Sequence, residues 1–160
     1  MKIRSIVYVA AFCILGTSAL ANAEENLAVK EIEEGAFASI DTLNRGYVTI
    51  GDLSRYRNLV FASMDANNDN RVSLQEYLEW GFGGSLIAEE AGKMDAYTAA
   101  RKVIFFYRDR DGDEQLTEAE FRVSTINDFR RADLNNNGRL EKDEFTKQFA
   151  EFGALRFAVK

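Results

Sequence analysis

The chain has 160 residues, with 26 Asp and Glu against 20 Lys and Arg, one Cys, no His and no Pro. Without His and with a single Cys it cannot build the usual zinc sites, His-based acid/base pairs or Cys/His nucleophiles, so a hydrolase of the ordinary kinds is excluded and no enzyme activity is expected. A net charge of −6 and a pI near 4.8 repel a phosphate backbone, which makes cations rather than nucleic acid the expected partners.

Residues 1–23, MKIRSIVYVAAFCILGTSALANA, open with Lys2 and Arg4, continue with an apolar run from Ile6 and close on Ala21-Asn22-Ala23. That is the layout of a secretory signal peptide cleaved before Glu24. The apolar run of about 15 residues is short of the roughly 20 a spanning helix needs, so no membrane anchor is expected after cleavage. Phe12 stands where a lipidated Cys13 would want a small neighbour. Removal leaves 18 basic against 26 acidic residues, a net charge of about −8, with no cysteine. A secreted or periplasmic domain of about 137 residues then has no disulfide to staple it, and a bound metal ion would supply the missing constraint.

Beyond the leader, helical periodicity runs through 26–40, where Leu27, Val29 or Ile32, Ala36 and Ile40 share a face, and through 53–64, 95–108, 118–132 and 141–152. No alternating strand run occurs. Shifting the chain by 68 residues aligns Asp41 with Asp109, Asp65 with Asp133, Val48 with Leu116 and Val72 with Leu140. The chain thus reads as a duplication: a first pair of acidic loops in 24–80, a glycine-rich linker at 81–93 acting as a hinge or a mobile helix end, and a second pair in 94–160.

The loops carry the chemistry. DANNDNRVSLQE (65–76), DRDGDEQLTEAE (109–120) and DLNNNGRLEKDE (133–144) each place Asp first, oxygen-bearing side chains third and fifth, an aliphatic eighth and Glu twelfth. A hard cation such as calcium takes six to eight oxygens at about 2.3–2.6 Å, which one such turn can provide. The eighth-place Val72, Leu116 and Leu140 would pack inward and tie each loop to the core.

On these residues the chain resembles the EF-hand family, and its closely spaced pairs resemble small exported bacterial EF-hand proteins. The resemblance implies an all-α fold of helix-loop-helix repeats, four loops in two pairs. It implies calcium ligands Asp65, Asn67, Asp69, Arg71 through its carbonyl, Ser73 and Glu76 in the second loop. In the third they are Asp109, Asp111, Asp113, Gln115 through its carbonyl, Thr117 and Glu120, and in the fourth Asp133, Asn135, Asn137, Arg139 through its carbonyl, Glu141 and Glu144. The sixth place requires a left-handed backbone; Gly138 suits it, Asn70 tolerates it, and Glu114 pays on the order of 1 kcal/mol. Loop four, with fewer charges, is expected to bind more weakly than loop three.

Loop one, DTLNRGYVTIGD (41–52), keeps Asp41, Gly46 and Asp52 but puts Leu43 and Arg45 where oxygens belong. A guanidinium opposes a divalent cation. This loop is expected to be empty, to survive as a structural partner for loop two, and to use Thr49 and Asp52 as a helix cap. About three calcium ions per chain follow.

Only 12 residues, 53–64 and 121–132, separate the loops within each pair. A continuous helix of that length spans about 18 Å, too far for neighbouring loops to bridge, so loops would pair across the halves. Aromatic residues, including Phe37, Phe61, Phe105, Phe129 and Phe145, flank the loops as expected core, and Trp80 follows loop two. With only Met64 and Met94 in the mature chain, a buffer or calcium-stabilised module is favoured over a sensor that exposes an apolar helical surface to a protein partner.

Overall fold

The computed structural model describes residues 14–158. The leading part of the leader segment, 1–13, lies outside the described residues. Helix α1 (Ile14–Ile40) runs into loop one, whose strand β1 (Tyr47–Thr49) leads into α2 (Ile50–Met64). Loop two carries β2 (Arg71–Ser73) and opens α3 (Leu74–Glu79), followed by α4 (Gly84–Glu90) and α5 (Met94–Arg108). Loop three contributes β3 (Gln115–Thr117), α6 (Glu118–Ala132) spans to loop four with β4 (Arg139–Glu141), and α7 (Lys142–Gln148) and α8 (Ala150–Ala158) complete the described chain. Among the described residues no helix is long and apolar enough to cross a membrane.

The two connectors are unbroken helices of 15 residues each, α2 and α6, which the lack of Gly and Pro in 53–64 and 121–132 permits. Each carries its own loops apart by about 22 Å at 1.5 Å per residue, and the strands therefore pair between the sequence halves. β1 lies antiparallel to β4 with Val48 opposite Leu140, and β2 lies antiparallel to β3 with Val72 opposite Leu116. Loop one is thus the partner of loop four, not of loop two, a correction that follows from the rigid length of α2. The strands are three residues long, too short for the alternation that marks a strand in sequence.

Each loop pair sits on its own part of the core. Val48, Val72, Leu116 and Leu140, all at 0% exposure, plug the two sheets into it. Around the first sheet gather Phe37, Ile40, Leu53, Phe129, Phe145 and Phe152, and around the second Phe61, Met64, Tyr77, Ile104, Phe105 and Phe121. A buried Phe of this size removes enough apolar surface to contribute about 1.5–3 kcal/mol, so these clusters hold the loop ends. On α1, Val29, Phe37 and Ile40 face the core while Leu27 is exposed.

Two expectations change. The stretch 81–93 is not an open linker: α4 occupies its middle, with Ile87 and Ala88 buried beside Val29, Tyr97 and Leu155. Gly84 serves close packing, since a Cβ there would lie 2.4 Å from the Tyr97 hydroxyl, whereas Gly83 and Gly92 take left-handed backbone (φ 84° and 65°) at the two ends of α4. The stretch 141–152 is not one helix either. Phe149 takes an extended conformation (φ −69°, ψ 132°) and turns α7 into α8, so that Phe145 packs tilted against Phe149 and edge-on against Phe152.

Buried charge locks the helices to one another. Arg108, the last residue of α5, pairs with Glu151 of α8 at 2.6 Å and Asp128 of α6 at 3.3 Å, and the Tyr77 hydroxyl donates to Glu151 at 2.7 Å. Arg101 donates to the carbonyls of Leu78 (3.0 Å), Trp80 (2.9 Å) and Tyr77, closing the end of α3 with a cation where its carbonyls lack helical partners.

Candidate metal centres

All four loops share one backbone form. Their sixth residues, Gly46, Asn70, Glu114 and Gly138, have φ between 61° and 79°, and their fourth residues, Asn44, Asn68, Gly112 and Asn136, have φ between 50° and 75°. Two left-handed residues two apart wrap the chain tightly enough to turn successive amides inward. The sixth place was legible from sequence. The fourth was missed, although an Asn or Gly in that place of every loop is a signal for it.

The first-place carboxylates anchor the wrap. Asp65 accepts the amides of Asp69 (3.1 Å) and Asn70 (2.9 Å), Asp109 those of Gly112 (2.8 Å) and Glu114 (3.0 Å), and Asp133 those of Asn137 (3.0 Å) and Gly138 (2.9 Å). Asp65 and Asp109 are buried and Asp133 half-buried. Third and fifth places turn inward in the same manner: Asn67, Asp111 and Asn135 accept the amide two residues on, and Asp69, Asp113 and Asn137 accept those of Arg71, Gln115 and Arg139.

The twelfth residue closes each turn. Glu76 holds the amides of Ala66 (3.1 Å) and Asn67 (3.3 Å) with one oxygen and the amide and hydroxyl of Ser73 with the other. Glu120 does so with Arg110 and Thr117, and Glu144 with Leu134 and Glu141. The Ser73–Glu76 and Thr117–Glu120 capping boxes therefore coexist with the loop geometry, each hydroxyl donating to the closing carboxylate. Donation from Ser73 draws the Glu76 carboxyl below its ordinary range. At Glu120 burial pushes upward, but the amides and hydroxyl around it prevail and hold it low as well. In loop four a hydrogen bond between the two carboxyls draws Glu141 down to about 2 and pushes Glu144 up.

Calcium fits this donor set in loops two, three and four, which offer only hard oxygens inward. The fit is closest in loop three, where Asp109, Asp111 and Glu120 bring one carboxylate oxygen each within 4.8 Å of one another. Oxygens on opposite sides of a calcium ion stand about 5 Å apart, so a single ion reaches all three. Among the described residues no other three carboxylates gather so closely. Loop two turns Asp69 toward the Asn67 amide (3.0 Å), and loop four turns the Asn137 amide to Glu141 (3.1 Å). Arg71 of loop two also reaches across the sheet to Asp113 of loop three at 2.9 Å.

The EF hand family model matches residues 58–79 and 126–150. Those stretches hold loops two and four with their flanking helix ends, and they support calcium binding by an EF-hand fold of helix-loop-helix repeats. No curated protein matches the chain. The loop at 109–120 lies outside the matched stretches and repeats their backbone form, with Glu114 in the left-handed sixth place.

Loop one departs from the others as a donor set. Leu43 is 68% exposed and turned outward, and the Arg45 guanidinium ion-pairs with Asp52 and lies 3.8 Å from Asp41. The cap is present, with Asp52 accepting the amide (2.9 Å) and hydroxyl (2.6 Å) of Thr49. Calcium does not fit here.

Proposed function

We propose that this chain is an exported, non-catalytic calcium-binding protein that takes about three ions, one in each of loops two, three and four, and serves as a buffer or as a module held in one shape by the ion. Ligation would come from Asp65, Asn67, Asp69, the Arg71 carbonyl and Glu76; from Asp109, Asp111, Asp113, the Gln115 carbonyl and Glu120; and from Asp133, Asn135, Asn137, the Arg139 carbonyl and Glu144. Ser73, Thr117 and Glu141 in the ninth places would act through water. The observation that carries this reading is the shared wrap: three loops in which the first, third, fifth and twelfth side chains accept inward-pointing amides around one centre. Export is supported by the 1–23 leader and by a mature segment free of cysteine, where an ion can do the work of a disulfide. Calcium is plentiful outside the cytosol, so modest affinity keeps the loops filled.

A calcium-dependent sensor is the second reading. It is favoured by one feature, a cavity of about 100 Å³ walled by Tyr56, Trp80, Phe82, Phe121, Phe149 and Phe152, which an opening of the hands would expose. Calorimetric titration with calcium, paired with an apolar fluorescent dye, decides between them. Near three equivalents without a rise in dye binding supports the buffer or structural module. A calcium-driven rise supports the sensor, and fewer than two equivalents overturns the stoichiometry.

A further inference from the structure

Loop one folds like its neighbours although its third and fifth places cannot ligate an ion. Its first and twelfth carboxylates, Asp41 and Asp52, are both buried, at 4% and 6% exposure. Two buried carboxylates facing one centre require a compensating charge of about +2 or a steep desolvation cost. Here the chain provides that charge. Arg45 points inward from the fifth place and ion-pairs with Asp52 while its Nε lies 3.8 Å from Asp41, and Arg55, one turn into α2, pairs with the other oxygen of Asp52. Two guanidiniums thus balance two carboxylates.

We infer that Arg45 is the resident cation of the first loop, so that the pair formed by loops one and four is assembled without calcium, whereas the pair formed by loops two and three depends on it. The inference rests on the calcium-binding reading for loops two to four. Arg45 spans Asp41 and Asp52, the first and twelfth places that would hold a calcium ion in the other loops. Its planar fork suits carboxylates on either side, where a lysine would offer a point charge.

The loop so closed presents β1 to β4. Tyr47 stands between two guanidiniums, with the Arg45 and Arg139 carbons each 4.9 Å from its ring centroid, and Thr49 lies opposite Arg139 in the ladder. Arg139 occupies the seventh place of loop four, whose carbonyl is a proposed ligand. The wrap of Arg45 therefore sets the strand that offers loop four its carbonyl. Nothing equivalent stands in the other pair: loops two and three hold seven Asp and Glu side chains in their first, third, fifth and twelfth places, and among the described residues the only cation reaching them across the sheet is Arg71, half-exposed, on Asp113.

Amide hydrogen exchange on the full chain, in chelator and in calcium, tests this. In chelator the amides of 47–49 and 139–141 should exchange about tenfold more slowly than those of 71–73 and 115–117, and calcium should protect chiefly the second set. Arg45→Gln should bring the first set down to the level of the second in chelator. The double variant Leu43→Asp/Arg45→Asp should also lose protection in chelator, then regain it in calcium with one additional ion bound. Equal exchange of both sets in chelator, or unchanged protection in Arg45→Gln, would overturn the inference. If Arg45→Gln does not fold, the double variant decides: folding in calcium with the additional ion supports a surrogate cation, and remaining unfolded there overturns it. A wild-type chain that binds no calcium would sink the proposed function instead, and the comparison of Arg45→Gln with wild type in chelator would still read the role of Arg45.

Discussion

Arg108 is the residue whose loss should be felt most widely, because it stands immediately before Asp109 and ties α5 to both α6 and α8. Replacing it with Met keeps an unbranched apolar stem of similar shape but leaves Asp128 and Glu151 without their shared cation. Breaking a buried pair by removing one partner costs about 3–5 kcal/mol. Here the lower end applies, since Asp128 keeps Arg131 at 2.5 Å and Glu151 keeps the Tyr77 hydroxyl at 2.7 Å. About 3 kcal/mol corresponds to a fall in melting temperature of about 6–12 °C for a chain of this size. Urea unfolding in chelator measures the loss directly. The pH dependence adds a second check: burial holds the Asp128 carboxyl above its ordinary value even with Arg108 present. Without Arg108 the native state should bind a proton there before the unfolded state does, so the variant recovers part of its deficit as pH falls from 7 toward 5. A deficit below about 1 kcal/mol at pH 7 would show that the network is screened by water, and the account of how α5 is held would fail.

Other consequences follow from the loops themselves. The carboxyls of Asp52, Glu76 and Glu120 all sit below their ordinary values in the folded chain. Their contribution to the stability of the calcium-free protein is complete above about pH 4.5 and should fade as pH drops through the lowered folded values, a trend that thermal melts in chelator would reveal. Glu114 holds φ at 61°, so Glu114→Gly should relieve left-handed strain by about 1 kcal/mol and raise the chelator melting temperature; an unchanged or lower value would contradict the strain argument. Gly84→Ala, which drives a Cβ to 2.4 Å from the Tyr97 hydroxyl, should cost about 1–3 kcal/mol by the same assay without changing calcium stoichiometry.

Much of this architecture can be read from residues alone, and the exceptions have physical causes. The inward aliphatics Val48, Val72, Leu116 and Leu140 are visible because burial selects their type at one fixed place per loop. The continuous α2 and α6 follow from connectors too short to turn and free of breakers, and cross-half pairing follows from their length. What escaped is tertiary. Which loop partners loop one depends on where α2 carries its far end, and the turn at Phe149 goes with the packing of Phe149 and Phe152 against Phe145. No local propensity marks either. The 81–93 stretch was misleading because its glycines look like freedom, whereas Gly84 is there to admit Tyr97. Arg45 was legible as an obstacle to calcium; its role as a bridge between Asp41 and Asp52 required the geometry.

The ion count itself is best read by native mass spectrometry of the full chain in calcium, run beside Glu76→Gln, Glu120→Gln and Glu144→Gln. Three bound ions in the parent and one fewer in each variant is the predicted result. A parent that flies free of calcium, or variants that keep the parent's count, would contradict the claim that these three loops are where the metal resides.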